Sequence, residues 1–311
     1  MGEKTQGGIS DIQAFIASVT ADIPKDTGEK LKAERQALFD EIDRITTEVR
    51  NDPALLKTVL RKSADFPERS INNVLLIGKF RPEASLLKTF QDWKKLGVWV
   101  NAENSIQLMA KGNPYIDGNG KTRNSYSVRK YYDVSETNMK RQAPAAKRKA
   151  SEFFQALGAD PPCKFRFYDD MPRNALYVPE TDTLYVKTAM KNQPESCFME
   201  IVGELSQRNQ YMQNKQGYNR ESADTVFKAE CTKFIVATRC GMDSGKIDLT
   251  KDMIPGVEPK DLKGMLSAVH KDAASLYQRI EKHLPEPQTE REKTAKKEPV
   301  KKPAKQEAPV L

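Results

Sequence analysis

The sequence predicts an α+β protein, with a small mixed N-terminal unit followed by a largely helical unit that carries a short antiparallel sheet. Three observations lead there. Apolar residues recur at helical spacing near both ends of the chain. Alternating runs typical of strands lie between these stretches. Pro, Gly and Asn-Gly steps separate the two kinds of run.

Element by element, "SDIQAFIASVTADI" places Ile12, Phe15, Ile16 and Val19 on one helical face, with Ser10 or Asp11 as a cap. "GEKLKAERQALFDEIDRITTEVR" repeats Leu31, Leu38, Ile42, Ile45 and Val49 opposite dense charge. Asp52-Pro53 ends that helix and opens the next, "PALLKTVLRKSADF", with proline in the first turn. "SINNVLLIGKF" is a short apolar stretch. "PEASLLKTFQDWKKLG" predicts a helix that buries Leu86, Leu87, Phe90 and Trp93 and stops at Gly97. "VWVNAENSIQLMAK" predicts two short strands about a polar turn. "GNPYIDGNGKTRNS" reads as a turn-rich loop with hairpin signals at Asp117-Gly118 and Asn119-Gly120, and "YSVRKYYDVSET" as a further strand.

A connector, "RQAPAAKRKA", leads into the helix "KASEFFQALG". "CKFRFYDD" and "NALYVPETDTLYVK" alternate like strands, the last two joined by a turn at residues 179–182. Helices follow over 194–213, over "RESADTVFKAECTKFIVATRCG" up to Gly241, and over "DLKGMLSAVHKDAASLYQRIEKHL". Beyond Pro285 the chain is rich in Pro, Lys, Glu and Ala, which predicts a disordered tail. The implied organisation is a helical segment over 1–52, a first domain over 53–142, a second over 143–285 and a tail over 286–311.

The charge is unevenly spread. The chain carries +8 overall, and residues 61–150 alone hold 18 basic against 8 acidic side chains. A concentrated positive field attracts polyanions, because each phosphate contact releases counterions. No run of 18 or more apolar residues is present, so no membrane partner is expected. The start "MGEKTQGGISDI" lacks a leader-like apolar run, so a cytoplasmic location is expected. Cys163, Cys197, Cys231 and Cys240 show no C-x-x-C spacing and read as reduced thiols in or near cores.

The basic segment interleaves cations with aromatic rings, the pattern by which single strands are held: phosphates on Lys and Arg, bases on exposed rings. Candidate contacts are Lys79, Arg81, Lys94, Lys95, Trp99, Lys111, Arg129, Lys130, Tyr131, Lys140 and Arg141. Trp93 lies on the apolar face of its helix and is read as core. Trp99 flanks a strand and is open between core and contact.

The order of features resembles a known family. "S-x-N-N-x-L-L-I" supplies Ser70, Asn72, Asn73, Leu75, Leu76 and Ile77. "RPEASLLKTFQDWKKLGVWV" supplies Pro82, Ala84, Phe90, Trp93 and Gly97, and "YYDVSET" closes the set. Over residues 53–140 this resembles the N-terminal domain of ArdC-type antirestriction proteins, carried on plasmids and conjugative elements. The family reads "YSxxNxxLI", "PxAxxxxxFxxWxxxGxxVxKGEKxIxIxxP" and "VFDVSQT" there. The resemblance implies single-stranded DNA as partner. One departure is plain: the family's basic "KGEK" turn is Asn101-Ala102-Glu103-Asn104 here, without either lysine.

Over residues 150–245 the chain resembles, more weakly, the zincin-like metallopeptidase domain that often follows in this family. "GELSQ" falls where "HELxH" belongs, and Glu230 in "FKAEC" falls where a later family helix completes the metal site. H-E-x-x-H works because residues i and i+4 share a helix face, so two imidazoles reach one zinc at about 2.0–2.1 Å and the glutamate activates its water. Gly203 has no ligand atom and Gln207 only a neutral amide. His270 and His283 lie far downstream. The expectation is therefore no cofactor, no metal, no catalysis, with Glu204 and Glu230 as survivors of the family site. Cys197 and Cys231 lack the spacing to replace the ligands. The expected function is antirestriction-type single-strand binding. The alternative is a pseudopeptidase module that binds a protein partner in the old cleft.

Overall fold

The computed structural model describes residues 25–139 and 148–285. The helix expected from Ser10, the contact candidates Lys140 and Arg141, and the tail beyond Pro285 lie outside the described residues. The class is α+β, with eight helices and two three-stranded sheets among the described residues.

Helix α1 (Lys25–Asn51) ends at Asp52, whose carboxylate accepts the amide N–H groups of Ala54 and Leu55 and so caps α2 (Pro53–Asp65). "SINNVLLIGKF" becomes α3 (Ile71–Phe80) behind the cap Ser70. Strand β1 (Leu87–Thr89) and the short α4 (Phe90–Lys95) follow. Strands β2 (Ile106–Ile116) and β3 (Thr122–Asp133) form a long hairpin. The first sheet is antiparallel in the order β1-β3-β2.

Several details depart from expectation. "PEASLLKTFQDWKKLG" is helical only over Phe90–Lys95: Leu87–Thr89 pairs with the end of β3 instead, so Leu87 and Trp93 are buried but Leu86 and Phe90, expected in the core, are 40% and 48% exposed. "VWV" forms no strand: only Val100 bridges, to Thr137, because this stretch is pinned to the loop after β3, with Asn138 N–H donating to the Trp99 carbonyl. The expected loop at 112–125 is mostly strand, and the chain turns only over 117–121. A bulge between Lys111 and Pro114 absorbs the irregular sequence. Gly112 lies close to the facing strand there: a Cβ on it would lie 2.4 Å from Ser125 Oγ and displace that hydroxyl from its bond to the Asn113 carbonyl.

After the connector come α5 (Ala150–Ala159), β4 (Lys164–Tyr168), β5 (Ala175–Val178) and β6 (Thr183–Lys187). The turn at residues 179–182 is present, with Asp182 left-handed at φ 45° and held by Arg208 and the Tyr177 hydroxyl. The second sheet has the order β4-β6-β5 and is mixed, since β4 runs parallel to β6. The tight β5–β6 hairpin takes one side of β6, and β4 can join only on the other. Helices α6 (Pro194–Gln213), α7 (Ala223–Arg239) and α8 (Pro259–Glu281) complete the chain as their periodicity predicts. Gly241, at φ 70°, follows the end of α7.

One main core runs from Ile42 on α1 to Ile280 on α8, and a satellite cluster gathers Trp93, Val100, Tyr132 and Val134. Trp93 is fully buried and donates its indole N–H to the Tyr132 carbonyl at 3.0 Å. All four cysteines are free and buried. No helix among the described residues is long and apolar enough to cross a membrane.

The family-like motifs turn out to be junctions. Asn73 donates to the Met109 carbonyl and accepts from its N–H, both at 2.9 Å, so its amide pairs with the free edge of β2. Asp133 accepts from the N–H groups of Ser85 and Leu86 and from the N–H and hydroxyl of Ser135, at 2.7–3.0 Å. Burial alone would raise its pKa; these four donors outweigh it and hold the carboxyl at about 2. That shift contributes roughly 2 kcal/mol at neutral pH. Because the folded pKa is depressed, the contribution is present above about pH 4 and lost as pH falls toward 2. Asp133→Ala should cost about 2–4 kcal/mol in urea denaturation at pH 7, and the cost should shrink as pH is lowered through that window.

Candidate functional site

The face of α6 that carries Gly203, Glu204 and Gln207 packs against β5 and α7. Strand β5 is an edge strand, so the outward backbone groups of Tyr177 have no neighbouring strand. Glu204 Oε2 accepts the Tyr177 N–H at 2.7 Å. Its other oxygen pairs with the guanidinium of Arg220, which also reaches the Tyr177 carbonyl at 3.4 Å. Both carboxylate oxygens of Glu204 are therefore engaged, and the side chain is buried.

Gly203 leaves room that α7 fills. A Cβ built on Gly203 would lie 3.1 Å from Lys233 Cε and 3.8 Å from its Nζ. The Lys233 ammonium bonds Glu230 at 2.8 Å and Glu200 at 3.3 Å, with a side chain only 10% exposed. Burial works to discharge this lysine, but the charges and hydrogen bonds of Glu230 and Glu200 prevail and raise its pKa, so it stays cationic. Gln207 Oε1 accepts from the Tyr218 hydroxyl at 3.0 Å.

These residues do not fit a divalent metal. Of the two positions where the resemblance would place ligands, Gly203 has no side chain and the amide oxygen of Gln207 already accepts from Tyr218. The two carboxylates are committed to Lys233 and Arg220, whose charges would repel a second cation. Burial pushes up the thiols of Cys197 and Cys231, away from the thiolate form a metal needs. His270 is buried on α8 with Nε2 2.8 Å from the Arg69 carbonyl; burial lowers its pKa, so it stays neutral and ties α8 to the α2–α3 loop. His283 is exposed beyond α8. Lys233 and Arg220 were not singled out from the sequence. Lys233, three residues after Glu230, carries at most the signal of a common helix ion pair, and Arg220 carries none.

The nucleic-acid candidates divide into three groups. Lys94, Lys95, Lys111, Arg129 and Lys130 are exposed, with Lys95 loosely paired to Asp92 at 3.5 Å. Trp99 is 80% exposed, which settles its role against core packing. Lys79, Arg81 and Tyr131 are engaged within the fold. Lys79 pairs with Glu48 at 2.6 Å, and Arg81 bonds Glu83, Glu136 and the Asn104 carbonyl. Tyr131 is a correction: it is buried, with the Arg69 guanidinium 4.6 Å from its ring centroid, and offers no free face to a base. Its position opposite Ile106 puts it on the core side of the sheet.

No protein-family model matches the sequence. No curated protein matches it either. Among solved structures, the metal-free crystal structure of the antirestriction protein ArdC from R388 plasmid is similar with a TM-score of 0.47 at 16% identity, covering 70% of this chain and 85% of that one. The Mn(II)-bound structure of the same protein is similar with a TM-score of 0.47 at 15% identity, covering 71% and 86%.

Removing the cation tests the site's economy. Lys233→Met should destabilise the protein by roughly 2–3 kcal/mol, because Glu230 and Glu200 then face each other without a counter-charge. Adding Glu230→Gln should recover part of the loss. A cost below about 0.5 kcal/mol in urea denaturation would show that the ammonium is effectively solvated.

Proposed function

We propose that the chain is a non-catalytic, antirestriction-type protein that binds single-stranded DNA through its basic first domain, with a peptidase-like second domain that serves as scaffold or partner surface. The carrying observation is a set of exposed cations and an exposed indole within the same basic domain. Lys94 and Lys95 on α4 lie a few residues from Trp99, and Arg129 and Lys130 project from β3. Cations can follow a phosphate backbone, and an exposed ring can stack on any base. The antirestriction role is what the ordered motifs imply by resemblance. The non-catalytic reading is supported by the commitment of Glu204 to Arg220 and Tyr177, since each of its oxygens already accepts from a donor of the fold.

A second reading has its own observation. Arg81 is bound to Glu136 and the Asn104 carbonyl, and the turn at 101–104 carries no cation. Less positive charge is free than the composition suggests, which favours a module that binds a protein at the old cleft. A pull-down that depends on 148–285 surface residues and ignores Lys94, Lys95 and Trp99 would favour it.

Anisotropy titration of a labelled oligothymidylate at two salt concentrations decides. The expected result is tighter binding of single than of double strands, weakening with salt by a slope of about −0.7 per phosphate contact. Trp99 fluorescence should be quenched on binding, since the other tryptophan, Trp93, is buried. Undetectable binding at low salt would reject the proposal.

A further inference from the structure

The hairpin of β2 and β3 is longer than the sheet it belongs to. Strand β1 pairs only with residues 131–133 of β3, so the outer three-quarters of β3 belongs to a two-stranded ribbon. At about 3.4 Å per residue, β3 alone is roughly 40 Å long. Beyond Ala110 nearly every residue of the ribbon is exposed or half-exposed. It is nevertheless not polar in the way a solvated ribbon usually is: Tyr115 is 53% exposed, Tyr126 42% and Ile116 73%.

Strand register sorts these residues by face. Along β3 the residues Thr122, Asn124, Tyr126, Val128 and Lys130 alternate onto one face, and their partners Ile116, Pro114, Lys111, Met109 and Gln107 share it. That face therefore presents, from root to tip, the cation Lys130, the directly opposed pair Lys111 and Tyr126, and the apolar Ile116. On the opposite face Tyr115 is opposed to Arg123.

The charge is one-sided. Residues 106–131 hold five cations, Lys111, Lys121, Arg123, Arg129 and Lys130, against one acid, Asp117. Asp117 is already tied to Arg123 at 2.8 Å and caps the turn through the N–H groups of Asn119 and Lys121. Among the described residues, the other four cations have no acidic partner. The ribbon is also buttressed: Arg35 on α1 donates to the Tyr126 carbonyl at 3.2 Å, which holds the tyrosine's position on the arm.

We infer that this outer ribbon, on the face of Lys130, Lys111, Tyr126 and Ile116, is a stacking and phosphate-tracking surface for single-stranded DNA. It extends the proposed function and rests on it, adding the contacts of the hairpin arm. An exposed ring flanked by an unpaired cation offers a base its face and the adjoining phosphate a counter-charge, at no cost in broken internal ion pairs. A protein partner would find apolar residues here but would have to match the two unpaired positive charges of Lys111 and Lys130 on this face, which a phosphate backbone does by its nature.

Anisotropy with labelled oligothymidylate tests this on the full chain, with Trp99 quenching as a separate readout. Tyr126→Ala should weaken binding roughly 5- to 100-fold, leave the salt slope unchanged and still permit Trp99 quenching at saturation. Tyr126→Phe, which keeps the ring, should bind as wild type. Lys111→Gln should weaken binding and lower the salt slope by about 0.7. Because Tyr126 is exposed, unchanged thermal unfolding should confirm that each variant is folded. If wild type binds and Tyr126→Ala and Lys111→Gln bind equally well, the ribbon is excluded while the DNA function stands. If wild type is a dimer that Tyr126→Ala separates with DNA binding intact, the ribbon is a subunit interface and the inference fails. If wild type does not bind at low salt, the function fails first and the ribbon's role with it.

Discussion

Both sheets end in an edge that no strand covers, and in both a helix side chain stands in for the missing strand. Tyr177 on β5 has its N–H taken by Glu204 and its carbonyl by Arg220. Met109 on β2 has both groups taken by the amide of Asn73. A backbone N–H buried without a partner costs about as much as a lost hydrogen bond, so these contacts dictate where α6 and α3 can sit. The position of α6 then dictates which of its side chains face α7. The arrangement of the second half follows from the docking of Glu204.

Seen this way, the glutamate at the centre of "GELSQ" has structural work that needs no metal. Its neighbour Gly203 is costly within a helix, by roughly 1 kcal/mol against alanine. The return is space for the stem of Lys233, which brings its ammonium between Glu230 and Glu200. A carboxylate-rich helix pair needs a positive charge somewhere. Here the charge is covalently attached to α7, and Arg220 supplies a second beside Glu204. Tethered cations in such a site reduce the negative field that would draw in a metal ion.

Much of this was legible in the residues. The 194–213 helix, the turn at 179–182, the stop at Gly241 and the burial of Trp93 all follow from spacing and turn chemistry that act over a few residues. The failures were of another kind. "VWV" has strand-like residues, yet Asn138 binds it to a loop instead of a strand. Arg81 and Lys79 looked like free cations, yet Glu136 and Glu48, each more than 30 positions away in sequence, sit beside them. Tyr131 and Tyr126 are the same residue type on the same strand. Their places along the strand separate them: Tyr131 lies at the root, where β3 is paired on both sides and packs on the core, and Tyr126 lies on the two-stranded part beyond β1.

The sequence by itself determined most of the long helices, the concentration of positive charge in one segment and the absence of imidazole at the two places where a zinc helix would carry it. These are properties of composition and local periodicity, and folding cannot alter them. The tertiary structure decided which charges are spent and which remain. Lys233 and Arg220 were two among 51 basic residues until α7 and the loop before it were laid against α6. Ion pairs form between side chains that distant segments bring within about 4 Å, and no spacing along the chain encodes that distance.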